Sequence, residues 1–171
     1  MIFKTHMAFA LNITIGLELA NIIIIGNSYY EKVFFYSFLL LGSVFPDIDE
    51  PNSFIGKKFP IISDFLSFSF GHRGFTHFLI FPLLIFFGLY FFIDDECKPL
   101  LFAFCLGNLL HQVGDMLTNT GIKHYFYPLS DVSAVLLPRC LRFNTGMLFE
   151  KFVFLPLMVV VLIFLVVSSN V

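Results

Sequence analysis

The chain has 171 residues, 58% of them hydrophobic and 13% charged, with 26 Phe, no Trp and a formal net charge of −2. Soluble domains carry about a quarter charged residues, so a water-soluble globule is excluded and a single integral membrane domain over residues 1–171 is expected. The near-neutral balance without a basic block excludes nucleic acid as an expected partner, and Cys97, Cys105 and Cys140 lack the spacing of a zinc knuckle or a disulfide framework.

Met7 to Ile25 is apolar enough to span a bilayer, with Thr14, Glu18 and Asn21 on one helical face that must turn towards other helices or water. No small-x-small cleavage site follows it, so it reads as a retained first helix. Asn27 to Lys32 is a polar turn. Val33 to Phe45 is a short apolar run closed by Pro46-Asp47-Ile48-Asp49-Glu50-Pro51, an irregular acidic segment. Asn52 to Phe70 is a mixed loop, and the apolar residues of its second half suit a membrane interface. Gly71-His72-Arg73-Gly74-Phe75-Thr76-His77 then leads into the longest charge-free run, Phe75 to Ile93. That run has about the 20 residues needed to cross ~30 Å of hydrocarbon, which places His77 on the first turn of a third helix. After the acidic turn Asp94 to Pro99, Leu100 to Leu117 forms a fourth helix. Asn108, His111, Asp115 and Thr118 make one polar stripe along its second half. Gly121 to Lys151 is a long polar loop, and residues 152–168 form a plain C-terminal span.

The pattern predicts an all-α, multi-pass transmembrane bundle of about five helices. Alternating sides for successive connections put Lys4, Lys57, Lys58, Arg73, Lys123, Arg139, Arg142 and Lys151 together, and leave Lys32 and Lys98 opposite. By the positive-inside rule the first side is cytoplasmic, with the N-terminus inside. His6, Asp47, Asp49, His72, His77, His111 and Asp115 all fall at that cytoplasmic end.

Imidazoles and carboxylates together are ligands for Zn²⁺, Mn²⁺ or Fe²⁺, whereas an all-oxygen set suits Mg²⁺ or Ca²⁺. His111 and Asp115, at i and i+4, point the same way on a helix. Four histidines and three aspartates exceed the needs of one tetrahedral ion, so one or two ions are expected. A pair bridged by a carboxylate would clamp the oxygens of a phosphoryl group. Arg73, between glycines, is placed to grip a phosphate in bidentate fashion.

His6, Gly42-Ser43-Val44-Phe45-Pro46-Asp47-Ile48-Asp49, Ser53, His72-Arg73-Gly74-Phe75-Thr76-His77, and His111 with Asp115, Thr118, Gly121 and Pro128 resemble a known family. It is that of the LexA-binding, inner-membrane, metal-dependent hydrolases (YdjM-like), over a core of about residues 5–130. His111-Gln112-Val113-Gly114-Asp115 is also similar to the HxxGD helix motif of the zinc-dependent phospholipase C and P1 nuclease class, which implies phosphoester hydrolysis. Met7-Ala8 departs mildly from the family near His6.

The expected function is therefore a hydrolase of the inner membrane that cleaves a phosphoester, with a phospholipid as the candidate substrate. Its metal ligands would be His6, Asp47, Asp49, His72, His77, His111 and Asp115. Asp49 or Asp115 would accept a proton, and Arg73 would stabilise charge on the phosphoryl oxygens. A transporter or proton pathway through Glu18, Asn108, His111 and Asp115 is the alternative; it expects polar groups to continue to the far side of the membrane. A haem-binding module would leave the aspartates without a purpose.

Overall fold

Ser28 and Glu31 form a capping box, with the Glu31 carboxylate accepting the Ser28 amide proton at 3.0 Å. The cap starts the second helix at Tyr29, ahead of the apolar run from Val33, and makes it longer than hydropathy alone suggests. In the computed structural model, which describes residues 1–26 and 28–169, the chain order is α1 (Phe3–Leu19), α2 (Tyr29–Val44), α3 (Pro60–Phe70), α4 (Ile80–Tyr90), α5 (Lys98–Met116) and α6 (Leu155–Ser169). Asn27, part of the predicted polar turn, lies outside the described residues. Short 3₁₀ turns lie in each connection after α2. Among the described residues the only β pairing is two isolated bridges, Thr118 with Phe143 and Ile122 with Ala134.

α2 and α5 form the central pair, and α1 and α4 pack against it; α6 lies along α1. Two glycines set how closely the central helices approach. A Cβ on Gly42 would stand 2.0 Å from the Phe104 carbonyl oxygen, and one on Gly107 would stand 2.1 Å from the Leu39 carbonyl oxygen. Without side chains at these positions the two backbones touch directly, as small residues allow in membrane helix pairs. Around this contact Ala10, Phe35, Leu39, Ala103 and Leu110 make the apolar core, joined by Ile25.

The first helix departs from its predicted bounds. Asn21 adopts a left-handed backbone, with φ of +54°, and ends α1 near Leu19. Asn tolerates this conformation better than most residues. Ile22 to Ile25 therefore continue outside the helix, and Ile25 folds back into the core. The first helix also begins earlier, at Phe3, so His6 lies within it.

The third predicted span is interrupted as well. Phe75–His77 is a 3₁₀ turn, and α4 runs only over Ile80–Tyr90. Eleven residues rise about 16 Å, roughly half the hydrocarbon thickness. His77 thus sits on the turn before the helix. Pro46 to Asp49 also forms a 3₁₀ turn, Phe45–Asp49, where an irregular segment is predicted. By length and composition, one helix among the described residues is sufficient to cross a bilayer by itself, Glu150–Ser168. It opens with a π-helical turn, Glu150–Phe154. α3, placed at the predicted interfacial segment, exposes Ile61, Phe65, Phe68 and Phe70.

Candidate metal centre

Four segments bring their polar residues to one buried point. The start of α1 supplies His6, the turn after α2 supplies Asp47, the turn before α4 supplies His77, and the second half of α5 supplies His111 and Asp115. His6, His77, His111 and Asp115 are at most 1% exposed, and Asp47 is 13% exposed. Two overlapping groups have ligand atoms within 4.8 Å of one another: His6, Asp47 and His111, and His77, His111 and Asp115. His111 belongs to both.

The hydrogen bonds fix the tautomers. His111 Nδ1 lies 2.8 Å from the Ser43 carbonyl, which can only accept, so Nδ1 carries the proton. His77 Nδ1 lies 3.0 Å from Asp49 Oδ2 and is likewise the donor. In the neutral rings both Nε2 atoms therefore present lone pairs, and they face each other at 3.2 Å. Two lone pairs at that separation repel unless a cation lies between them. Asp115 Oδ2 stands 3.6 Å from His77 Nε2 and 3.8 Å from His111 Nε2, and Asp47 Oδ1 stands 3.6 Å from His111 Nε2. Ligands about 2.0–2.2 Å from a tetrahedral ion are separated by roughly 3.3–3.6 Å, which fits this spacing.

His6 supplies an independent sign. It is fully buried, yet neither of its ring nitrogens has a hydrogen-bond partner among the described residues. Its ring stacks on that of His111 with centroids 3.6 Å apart, and its Nε2 is 3.4 Å from Asp115 Oδ1. An unsatisfied buried polar group costs about 1–3 kcal/mol, a cost that an ion at this point would remove.

Asp49 and His72, both predicted ligands, lie outside the two donor groups. Asp49 stands behind His77, and His72 Nδ1 meets the other carboxylate oxygen, Oδ1, at 3.2 Å. Burial opposes ionisation of Asp49, but the hydrogen bonds from His72 and His77 outweigh it and hold its carboxyl well below the usual range. The same bond to Asp49 raises the pKa of His72. Burial pushes the Asp47 carboxyl up, which makes a nearby positive charge more valuable to it. Asp49 thus takes the orienting position that carboxylates hold behind metal-ligating histidines.

Arg73 also differs from expectation. Its backbone is left-handed, with φ of +60°, after Gly71 at +72°. This turn directs the guanidinium inwards: Nε is 2.9 Å from Asp115 Oδ2, and Nη1 reaches the Gly121 carbonyl at 2.7 Å together with the Thr120 hydroxyl. One edge of the predicted phosphate grip is therefore engaged with the protein itself. Met1 meets the other oxygen of Asp115 through its amino group at 2.5 Å.

Several supporting residues escape sequence reasoning. Thr76 Oγ1 lies 2.8 Å from Asp49 Oδ2 and 3.0 Å from the Pro46 carbonyl, tying the two 3₁₀ turns together. Gln112 is fully buried and joins Asn108, the Phe78 carbonyl and the Tyr125 hydroxyl. Glu150, at the entry of the last helix, is buried and accepts the amides of Ile2 and Gly146 at 2.7 and 2.6 Å, which fixes the start of α1 near His6. A lone Glu at a loop end gives no such signal, although a Ser/Thr beside a His-Asp motif hints at second-layer support. Thr76→Val is expected to lower metal affinity about tenfold while the fold persists, read by competition with a chromogenic chelator.

The sequence profile of the YdjM inner membrane protein family matches residues 1–170. The uncharacterized protein YvsG of Bacillus subtilis (strain 168) is 42% identical over 86 residues, covering 50% of this chain and 52% of that protein. The inner membrane protein YdjM of Escherichia coli (strain K12) is 42% identical over 90 residues, covering 48% of this chain and 44% of that protein. The chain spans about half the length of the curated relatives it matches. No solved structure matches it significantly. With a family profile that runs over nearly all its residues, the chain belongs to the YdjM inner membrane protein family.

Proposed function

We propose that this inner-membrane protein is a metal-dependent hydrolase that cleaves a phosphoester, with the ion held by His77, His111 and Asp115. The observation that carries this reading is the pair of Nε2 lone pairs facing each other at 3.2 Å, each imposed by a hydrogen bond on the far side of its ring. The Nε2 lone pair of His111 serves a single ion, so a second ion has to share a carboxylate. Asp115, with Oδ2 towards His77 and His111 and Oδ1 towards His6, would be the carboxylate held in common. His6 and Asp47 would supply the remaining donors of a second position. Zinc suits this nitrogen and oxygen donor set, and Mn²⁺ or Fe²⁺ would also fit it.

When bound, such an ion supplies Lewis-acid polarisation of a phosphoryl oxygen and makes water nucleophilic near neutral pH. The chain's own part is positional. Asp49 keeps the Nδ1 proton of His77 in place, Ser43 does the same for His111, and Arg73 lends positive charge beside Asp115, where the phosphoryl oxygens would gain charge. A lipid substrate is supported by an apolar groove of about 510 Å³ lined by Ile48, Phe59, Ile62, Leu66, Phe75 and Thr76, since the Thr76 hydroxyl also touches Asp49.

The proposed topology is multi-pass, with the N-terminus and the site on the cytoplasmic side, as the distribution of Lys and Arg suggests. A proton pathway finds less support. The buried positions of α5 before Asn108 are Leu101, Ala103, Cys105 and Gly107, so the polar stripe does not continue along the helix. The test is turnover of a chromogenic phosphodiester and of a short-chain phospholipid by metal-loaded protein in detergent. Hydrolysis that chelation abolishes is the expected result; metal-loaded protein inert towards every phosphoester would overturn the reading.

A further inference from the structure

Beside the buried centre lies a second cavity of about 490 Å³, lined by polar and charged side chains and within the size range of small-molecule sites. Its walls come from three distant parts of the chain: His72 and Arg73 from the turn after α3, Asn119, Thr120 and Lys123 from the segment after α5, and Asn144 from the loop before α6. These parts are locked together. Asn119 donates its backbone amide to the Phe143 carbonyl at 3.0 Å, and its side chain donates to Asn144 Oδ1 at 2.7 Å. Ile122 and Ala134 exchange both backbone hydrogen bonds, which presents Lys123 from a fixed frame.

Among the described residues no carboxylate lines this cavity, while Arg73, Lys123 and the two Asn amides all offer donors. The charge of Arg73 is partly answered by Asp115. Lys123 is exposed and has no ion pair among the described residues. A cavity that pairs neutral amide and hydroxyl groups with one uncompensated cation and no carboxylate among its described lining residues selects an oxyanion. Arg73 lines it and also touches Asp115, so an anion held there adjoins the metal centre.

We propose that this cavity is an oxyanion subsite that receives the phosphate of the ligand, with Lys123 as its specificity-determining cation and Asn119 and Asn144 as fixed neutral donors. That the ligand is a substrate rests on the hydrolase reading above; the binding of an oxyanion does not. The shared chemistry is a phosphate group, carried either by a soluble phosphoester or by a lipid headgroup.

The experiment uses the full chain in detergent, or in nanodiscs, with metal content measured alongside. Affinity for inorganic phosphate is measured by calorimetry, and affinity for phosphatidic acid by comparing nanodiscs that contain it with nanodiscs of phosphatidylcholine alone. Lys123→Glu is expected to weaken the binding about tenfold or more with metal content unchanged, and Lys58→Glu, outside the cavity, to leave it unchanged. Lys123-dependent binding of free phosphate identifies a soluble anion, and Lys123-dependent binding confined to phosphatidic acid identifies a lipid headgroup; either supports the subsite. Binding that is absent in wild type, insensitive to Lys123→Glu, or equally weakened by Lys58→Glu overturns it. If wild type holds no metal and still binds phosphate through Lys123, the subsite stands and the hydrolase reading fails.

Discussion

Asp115→Ala is expected to remove all bound transition metal, and His6→Ala to remove about one equivalent and leave the other. The difference follows from geometry: Asp115 has Oδ2 near His77 and His111 and Oδ1 near His6, whereas His6 lies only on the side shared with Asp47. Loss of a ligand from a tetrahedral protein site leaves too few donors to hold the ion against chelation. Phosphoester turnover should fall with the metal in Asp115→Ala. Elemental analysis after gel filtration, with circular dichroism to show that the helices persist, reads the result. Equal metal content in Asp115→Ala and wild type would contradict a carboxylate shared between the two positions.

The second large effect is on the central helix pair. Gly107→Ala places a methyl group 2.1 Å from the Leu39 carbonyl oxygen, closer than any real contact, and that atom is backbone with no rotamer to yield. Overpacking of this kind costs about 1–3 kcal/mol, and a forced separation of helices more. The site would share the damage, because Ser43 on α2 holds His111 on α5 through its carbonyl. Gly88→Ala is the matched control. A Cβ there meets nothing within 4 Å on α4, and Ala in a helix gains about 0.5–1 kcal/mol over Gly. Thermal unfolding in detergent should show Gly107→Ala melting well below wild type and losing metal, with Gly88→Ala at or above wild type.

The parts of the site legible in the sequence are those carried by regular periodicity. His111 and Asp115 sit at helical spacing in an apolar background; α5 buries both together with Asn108, and Thr118 is buried just past its end. The joining of His6, Asp47 and His77 to them follows from placing each at the same end of its element. What periodicity cannot carry is the division of labour within an irregular turn. Asp47 and Asp49 are equivalent in sequence, yet the 3₁₀ turn Phe45–Asp49 aims one towards His111 and the other behind His77. The left-handed backbone at Arg73 likewise turns its guanidinium to Asp115, where sequence alone suggests a free phosphate grip.

Helix bounds show the same limit. Hydropathy reads Phe75 to Ile93 as one span because every residue in it is uncharged, but Thr76 and His77 are spent on Asp49 in a 3₁₀ turn that displaces the start of α4 to Ile80. The last span, by contrast, takes its tertiary hydrogen bonds without a break in the helix, through Glu150 at its entry and from Asn12 Nδ2 to the Met158 carbonyl, and the predicted residues 152–168 fall within the helix found. Composition identifies apolar segments; tertiary hydrogen bonds decide where they begin.

The most direct test of the central claim is the metal content of detergent-purified wild type, measured by elemental analysis beside His77→Ala and Asp49→Asn. Wild type is expected to hold one or two equivalents of Zn, Mn or Fe, His77→Ala to lose the ion from the His77 position, and Asp49→Asn to bind metal about 10–100-fold more weakly, since the ligand remains and only its orientation is relaxed. Wild type that stays free of transition metal after reconstitution would contradict that claim, and would leave a proton between His77 and His111 as the cation that their facing nitrogens require.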